Sequence, residues 1–335
     1  MPRAATASPR KPVSRDRTAA GTTAEIIRQL QLEPEIERLR DAIRRWNQAA
    51  DEEVRPELTW QFQGGAKYFR PLTIFSCHRA MSREPISDRM IQTALVLEMF
   101  HNVSLIVDDI VDRSPARRGK ATLHTKFGEL QALMVSGYVV ADGYDLLAEG
   151  IVRDPKAVRY DLSLFSELMK RLAVAECMQW RLRRKPLGVE DWRRIAQEDT
   201  GSMFEVCACL GGRSEHLRVF GRLLGMLYHG CDDVGDVRGL MALGGGGEED
   251  LRDGILTLPA ALAIRDPKVR DLFCRDDLTR RDLKRLAVAY ESQLEAAEAV
   301  LDDIAAQARA EARSCAREPE PLYAMVEHTR QLSKR

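Results

Sequence analysis

The chain has 335 residues, 44% of them hydrophobic and 30% charged, with 51 Lys and Arg set against 51 Asp and Glu. That is a globular composition, long enough to bury a large core, and its balanced charge offers no general surface for nucleic acid or an anionic membrane. Seven scattered cysteines without a CxxC pair fit reduced thiols; with no secretory leader and no apolar run of membrane-spanning length, a cytoplasmic location is expected.

The segment from Met1 to Thr23 is rich in Ala, Arg, Ser, Thr and Pro, with Asp16 its one acidic residue, and reads as a disordered tail. A transit peptide would share that makeup, but Pro2, Pro9 and Pro12 oppose an amphipathic helix, so a plain tail is the favoured reading. From residue 24 to 335 apolar side chains recur at helical spacing, as in Ile91, Ala94, Leu95 and Leu97, or Leu294, Ala297, Val300 and Leu301. Breakers fall where helices should end: Gly64-Gly65, Ser114-Pro115, Asp154-Pro155, Lys185-Pro186, Gly211-Gly212 and the run Gly244 to Gly247. The expectation is a single all-α domain, a bundle of roughly ten or more helices, with the glycine run as a surface loop or a lid.

Two acidic motifs carry the chemistry. Asp108, Asp109 and Asp112 follow the apolar run Val103 to Val107, and Asp232, Asp233 and Asp236 repeat the spacing after Leu223 to Leu227. On a helix, positions i and i+4 share a face and i+1 lies nearby, so each motif places three carboxylates together at the end of a buried helix. Such crowding is unfavourable without cations, and hard, oxygen-seeking Mg²⁺ is the natural one. Mg²⁺ shares phosphate oxygens readily, so a diphosphate substrate is expected, with Arg117 and Arg118 close by to fork its oxygens. Lys67 and Arg70, next to the Gly64-Gly65 turn, form a second basic cluster.

Taken in order, GGAKYFRP, HNVSLIVDDIVDRSPARRGKATLHTKFG, EDTGSMFE, HGCDDVGDVRG and EDLRDGILTLPAALA make the chain resemble the trans-isoprenyl diphosphate synthase (polyprenyl synthetase) family from about Gly64 to Ala263. The resemblance implies the isoprenoid synthase fold, a helical bundle around a deep apolar cavity, assembled as a homodimer. It implies three Mg²⁺ per active site, bridging an allylic prenyl diphosphate to Asp108, Asp109, Asp112, Asp232, Asp233 and Asp236. Loss of diphosphate then gives an allylic cation that isopentenyl diphosphate attacks. Carried over by position, Lys67, Arg70, His101 and Arg118 hold isopentenyl diphosphate, while Arg117, Thr200 and Gln179 serve the allylic diphosphate. Ser104 and Val103 stand where an aromatic residue would close the cavity floor in short-chain members, leaving Phe100, a turn deeper, as the next stopper; a C20 product, geranylgeranyl diphosphate, is expected.

Three positions depart from the family pattern: Asp199 and Ile255 replace lysines and His229 replaces a glutamine. Asp199 should repel a diphosphate unless it binds metal or pairs with an arginine among Arg181 to Arg184 or Arg193-Arg194, and restoring lysine at 199 and 255 should strengthen allylic binding. The lost cations also fit a terpene cyclase on the same scaffold, or a non-catalytic subunit of a heteromeric synthase. Retention of Lys67, Arg70, His101 and Arg118 speaks against the first, and retention of all six aspartates against the second.

Overall fold

A computed structural model describes residues 16–63, 67–117, 119–149, 154–239 and 247–334. The described chain is all-α apart from one two-stranded hairpin. In order the helices are α1 (Asp16–Gln29), α2 (Glu33–Ala49), α3 (Arg55–Phe62), α4 (Phe69–Met81), α5 (Asp88–Val111), α6 (Leu123–Phe127), α7 (Glu129–Ala148), α8 (Pro155–Leu182), α9 (Val189–Ala196), α10 (Ser202–Gly212), α11 (Arg218–Val237), α12 (Gly247–Asp253), α13 (Leu258–Ala263), α14 (Pro267–Phe273), α15 (Arg280–Glu291), α16 (Leu294–Cys315) and α17 (Glu320–Gln331). Strands β1 (Ala116–Arg117) and β2 (Lys120–Ala121) pair antiparallel between α5 and α6.

Many helix starts follow from local chemistry. Ser87 accepts from the Met90 N–H at the head of α5, Asp154 from Ala157 at α8, and Thr279 forms a reciprocal capping box with Asp282 at α15. Pro155 at the first turn of α8 gives up no helical hydrogen bond. Of the segment read as a tail, residues 1–15 lie outside those described, and α1 already begins at Asp16. The glycine run, read as a loop or lid, lies outside the described residues up to 246.

α5 runs through the centre, against α7, α4 and α2, while α10 packs between α4 and α11, and α11 against α16 and α17. Contrary to the expectation that no apolar run reaches spanning length, α5 is long and apolar enough to cross a membrane, but 72% of that stretch is buried inside the bundle. It is apolar because other helices surround it. Near its C-terminal end the burial opens, and there the acidic motif begins. All seven cysteines are unpaired, and Cys231 is fully buried with its thiol pushed up to about 12 by burial, as a packing role requires.

Candidate active site

The two acidic motifs occupy the C-terminal ends of α5 and α11, where the backbone carbonyls already concentrate negative charge. Asp108, Asp232, Asp233 and Asp236 line one cavity of about 260 Å³. Asp109 and Asp112 are drawn aside by arginines. Arg117 donates from Nε to Asp109 Oδ1 at 2.7 Å, and Arg183 from Nη2 to Asp112 Oδ1 at 3.0 Å. Asp233 is anchored through its other oxygen, which accepts from Trp192 Nε1 and from the Leu258 backbone N–H, both at 2.8 Å.

Asp199 joins this cavity, together with two acidic residues that the sequence did not point to, Glu176 on α8 and Asp250 on α12. Burial, with Glu176 and Asp199 next to it, raises the Asp108 carboxyl well above its ordinary value. Burial and the neighbouring Asp233 raise Asp232. Burial and the opposing aspartates push Asp250 up to about 8. Glu176 keeps open surface toward the cavity, yet the enclosing protein and Asp199 and Asp112 push it up to about 7. This is negative charge held without enough positive charge. Among the described residues no three His, Cys, Asp or Glu side chains converge as a ready-made metal cage. The carboxylates of Asp108, Asp232, Asp233 and Asp236 that line the cavity are the oxygen donors a hard divalent cation takes.

The residues that depart from the family pattern are gathered at the same cavity. Residues Gln197–Gly201 form a short π-helical turn between α9 and α10, a distortion common at functional sites, which turns Asp199 and Thr200 inward. α11 comes very close here: a Cβ on Gly225 would lie 2.7 Å from Gly201 Cα and 2.8 Å from Thr200 O, so only glycine fits. One turn further along α11, His229 Nδ1 reaches Asp199 Oδ2 at 3.4 Å and Thr200 Oγ1 at 3.0 Å, while its Nε2 lies 3.9 Å from Asp233 Oδ1. Asp199 thus pairs with His229, not with the arginines expected to neutralise it. Burial opposes the charge on both, but His229 holds the Asp199 carboxyl below its ordinary value, and Asp233 and Asp199 raise the imidazole to about 9. Ile255 and Gln179 complete the lining.

A second cavity of about 330 Å³ adjoins the first and holds Lys67, Arg70, His101, Asp109 and Arg117. Arg70, His101, Leu105, Arg117 and Tyr228 line both, so they form the wall between an acidic chamber and a basic one. Arg70 Nη1 lies 3.0 Å from His101 Nε2, and its guanidinium sits 5.7 Å from the centre of the Phe204 ring, which fixes the fork toward the wall. Arg118 lies outside the described residues. Of the floor residues, Ser104 lines the acidic cavity whereas Val103 turns into the core. Phe100 is fully buried one turn below Ser104, wedged between Tyr144 at 5.2 Å and Phe165 at 5.3 Å between ring centres.

An all-α bundle with two acidic helix ends lining one cavity defines the class. Residues 51–293 match the polyprenyl synthetase family, and the chain belongs to that family. It is 29% identical over 231 residues to "Geranylgeranyl pyrophosphate synthase 4" of Arabidopsis thaliana, covering 64% of this chain and 61% of that protein. It is 28% identical over 281 residues to the nonaprenyl diphosphate synthase of Mycobacterium tuberculosis, covering 78% and 81%. Among solved structures, a polyprenyl synthase from Caulobacter crescentus, complexed with calcium and isoprenyl diphosphate, is similar with a TM-score of 0.74 and 25% identity, covering 98% of this chain and 99% of that one.

Proposed function

We propose that the chain is a Mg²⁺-dependent trans-prenyltransferase that joins isopentenyl diphosphate to an allylic prenyl diphosphate, with geranylgeranyl diphosphate as product. The observation that carries this reading is the shared wall: an acidic cavity and a basic cavity meet at Arg70, His101, Leu105, Arg117 and Tyr228. A diphosphate in the basic cavity needs no metal, because Lys67, Arg70 and His101 supply cations and donors there, with Arg118 assigned beside them by position. A diphosphate in the acidic cavity does need metal, because the carboxylates would otherwise repel it. Asp108, Asp232 and Asp236, with Asp109, Asp112 and Asp233 behind them, are the residues assigned to hold Mg²⁺, three ions per site by family analogy. When bound, Mg²⁺ supplies charge neutralisation for the departing diphosphate. Thr200 and Gln179 orient the allylic diphosphate, and Arg117 reaches both chambers. Leu105, Leu172 and Met203 keep water from the allylic carbons.

Product length rests on the floor. The relatives' names run from geranylgeranyl to nonaprenyl, so family membership leaves length open. Ser104 lets a growing chain pass, and the Phe100–Tyr144–Phe165 cluster stops it, which favours C20 over C15.

The homodimer reading is supported by exposed apolar side chains on adjoining helices: Val107 and Val111 on α5, Leu130, Leu133 and Met134 on α7, and Val174 and Trp180 on α8. The unpaired cysteines fit a cytoplasmic location.

The test is to incubate purified protein with Mg²⁺, each allylic diphosphate from C5 to C20, and labelled isopentenyl diphosphate, and to analyse products before and after phosphatase. Labelled prenyl alcohols released only by phosphatase support elongation. Hydrocarbons formed without isopentenyl diphosphate would instead make the chain a cyclase, and activity seen only with a second protein would make it a subunit.

A further inference from the structure

Two segments far apart in sequence meet at the basic cavity, beside the α5 residues His101 and Asp109: residues 67–70, which carry Lys67 and the α4 residue Arg70, and the β1–β2 hairpin that carries Arg117. A distinct group of residues fastens one to the other. Lys120 is the cross-strand partner of Arg117. Its Nζ donates to the carbonyl of Trp60, in the last turn of α3, and, at 3.0 Å, to that of the C-cap residue Gln63. A cation is favoured there by the helix dipole as well. Trp60 answers from the other side, its indole Nε1 donating to the carbonyl of Ala121 at 3.0 Å. The same ring carries Lys120 Nζ at 4.0 Å and Lys126 Nζ at 3.5 Å from its centre, and Phe127 packs edge-on at 6.4 Å. Two ammonium groups thus share one indole, which ties the hairpin and α6 to the end of α3. The hairpin is in turn fixed to α5 by Arg117 and Asp109.

We propose that Trp60 and Lys120 form a clamp that sets the spacing between Lys67 and Arg117, and so shapes the second anion pocket for a prenyl diphosphate that binds without metal. Both line the basic cavity, but Lys120 Nζ is committed to the Trp60 and Gln63 carbonyls and the Trp60 indole to Ala121, so both act as positioning residues. This inference rests on the assignment of the basic cavity to isopentenyl diphosphate. Three carbonyl contacts and a stacked cation hold the two segments in register, so loosening them spreads the donors around the diphosphate in the basic cavity, while Arg117, which lines both cavities, stays tied to Asp109 on α5. Weakened binding with intact chemistry is the expected signature.

Lys120→Met keeps the stem over the indole and removes the donors; Lys120→Arg returns a stacked, forked cation. Steady-state kinetics with isopentenyl diphosphate as the varied substrate should show KM raised about tenfold in Lys120→Met, with kcat within about twofold of the parent, the allylic KM raised only about threefold through Arg117, and most of the loss recovered in Lys120→Arg. Trp60→Phe, which lacks the indole N–H, should move KM the same way by about threefold. Quenching of tryptophan fluorescence by isopentenyl diphosphate in metal-free buffer provides a reading independent of turnover, and Lys120→Met should shift its midpoint to higher concentration. If the parent protein elongates and Lys120→Met leaves both KM and that midpoint unchanged, the clamp is overturned. A fall in kcat and thermal stability together, without rescue by arginine, also overturns it by making Lys120 a purely structural residue. If the parent protein neither elongates nor responds to isopentenyl diphosphate, it is the function assigned to the cavity that fails.

Discussion

Asp199 and His229, two of the three residues that break the family pattern, are each other's partner: carboxylate Oδ2 and imidazole Nδ1 lie 3.4 Å apart beside Thr200. The family resemblance implies a lysine and a glutamine at these two positions. Restoring lysine at 199 alone therefore sets a cation against His229 instead of improving the site. Asp199→Lys should raise the allylic KM about tenfold, whereas Asp199→Lys combined with His229→Gln should recover to within about threefold of the parent, a coupling on the order of 1–2 kcal/mol. A double-mutant cycle on allylic KM checks this, and additive effects would show the pair to be uncoupled. Ile255 has no such partner; it lines the acidic cavity, and Ile255→Lys should still tighten allylic binding.

Asp232 and Asp233 are neighbours with different duties. Asp232 faces the cavity under repulsion, while Asp233 accepts two buried hydrogen bonds. Asp232→Asn should lower kcat by on the order of 100-fold or more with no loss of thermal stability, as expected of a residue proposed to hold the Mg²⁺ that neutralises the departing diphosphate. Asp233→Ala should cost about 1–3 kcal/mol of stability in addition, because the Trp192 indole and the Leu258 amide lose their acceptor. Thermal denaturation of both variants in EDTA separates the two roles.

The crowded carboxylates make stability depend on pH in a defined direction. Glu176 rises from 4.5 to about 7, Asp250 from 3.8 to about 8, and His229 from 6.5 to about 9. For each group the folded state binds its proton more tightly than the unfolded state, so its stabilising contribution is full below the ordinary value and is lost as pH rises through the folded one. Asp199, shifted downward, gives its contribution above its ordinary 3.8 and does not alter the trend at neutral pH. The metal-free protein should melt at progressively lower temperature from pH 5 to pH 9. Added Mg²⁺ should return more stability at pH 8 than at pH 5. A flat or rising profile in EDTA would contradict the charge distribution described.

Gly143 packs directly against Phe100, the residue proposed to stop the growing chain. A Cβ on Gly143 would lie 2.5 Å from Phe100 Cε1, so Gly143→Ala must displace the ring and should change the product from C20. Phe100→Leu frees volume against Tyr144 and Phe165 and should lengthen the product beyond C20, at about 1–3 kcal/mol of stability. Chromatography of dephosphorylated products reads both.

The all-α class and the acidic motifs were legible in the sequence because each is local: apolar periodicity writes the helices, and the four-residue spacing writes a shared helix face. Ser87, Asp154 and Thr279, which cap α5, α8 and α15, are equally local signals. What the sequence hid are contacts made by helix crossings. Asp199 meets His229 only because Gly201 and Gly225 let α11 approach the π-helical turn, and no spacing rule encodes that meeting. Glu176 could have been found, since it lies one turn before Gln179 on the same face of α8. Asp250, Phe165 and the Trp60–Lys120 contact could not, being brought in from other elements. The helix face of Asp109 was misleading in one respect: Arg117, from the hairpin, draws it toward the basic cavity.

The central claim is that two diphosphates meet across one wall. The most direct measurement is mass analysis of what the protein makes from farnesyl diphosphate and ¹³C-labelled isopentenyl diphosphate with Mg²⁺. The account predicts a C20 prenyl diphosphate carrying one labelled five-carbon unit, lost on chelation of the metal and greatly reduced in Arg70→Met. Unlabelled hydrocarbon, or consumption of farnesyl diphosphate with no label incorporated, would contradict it.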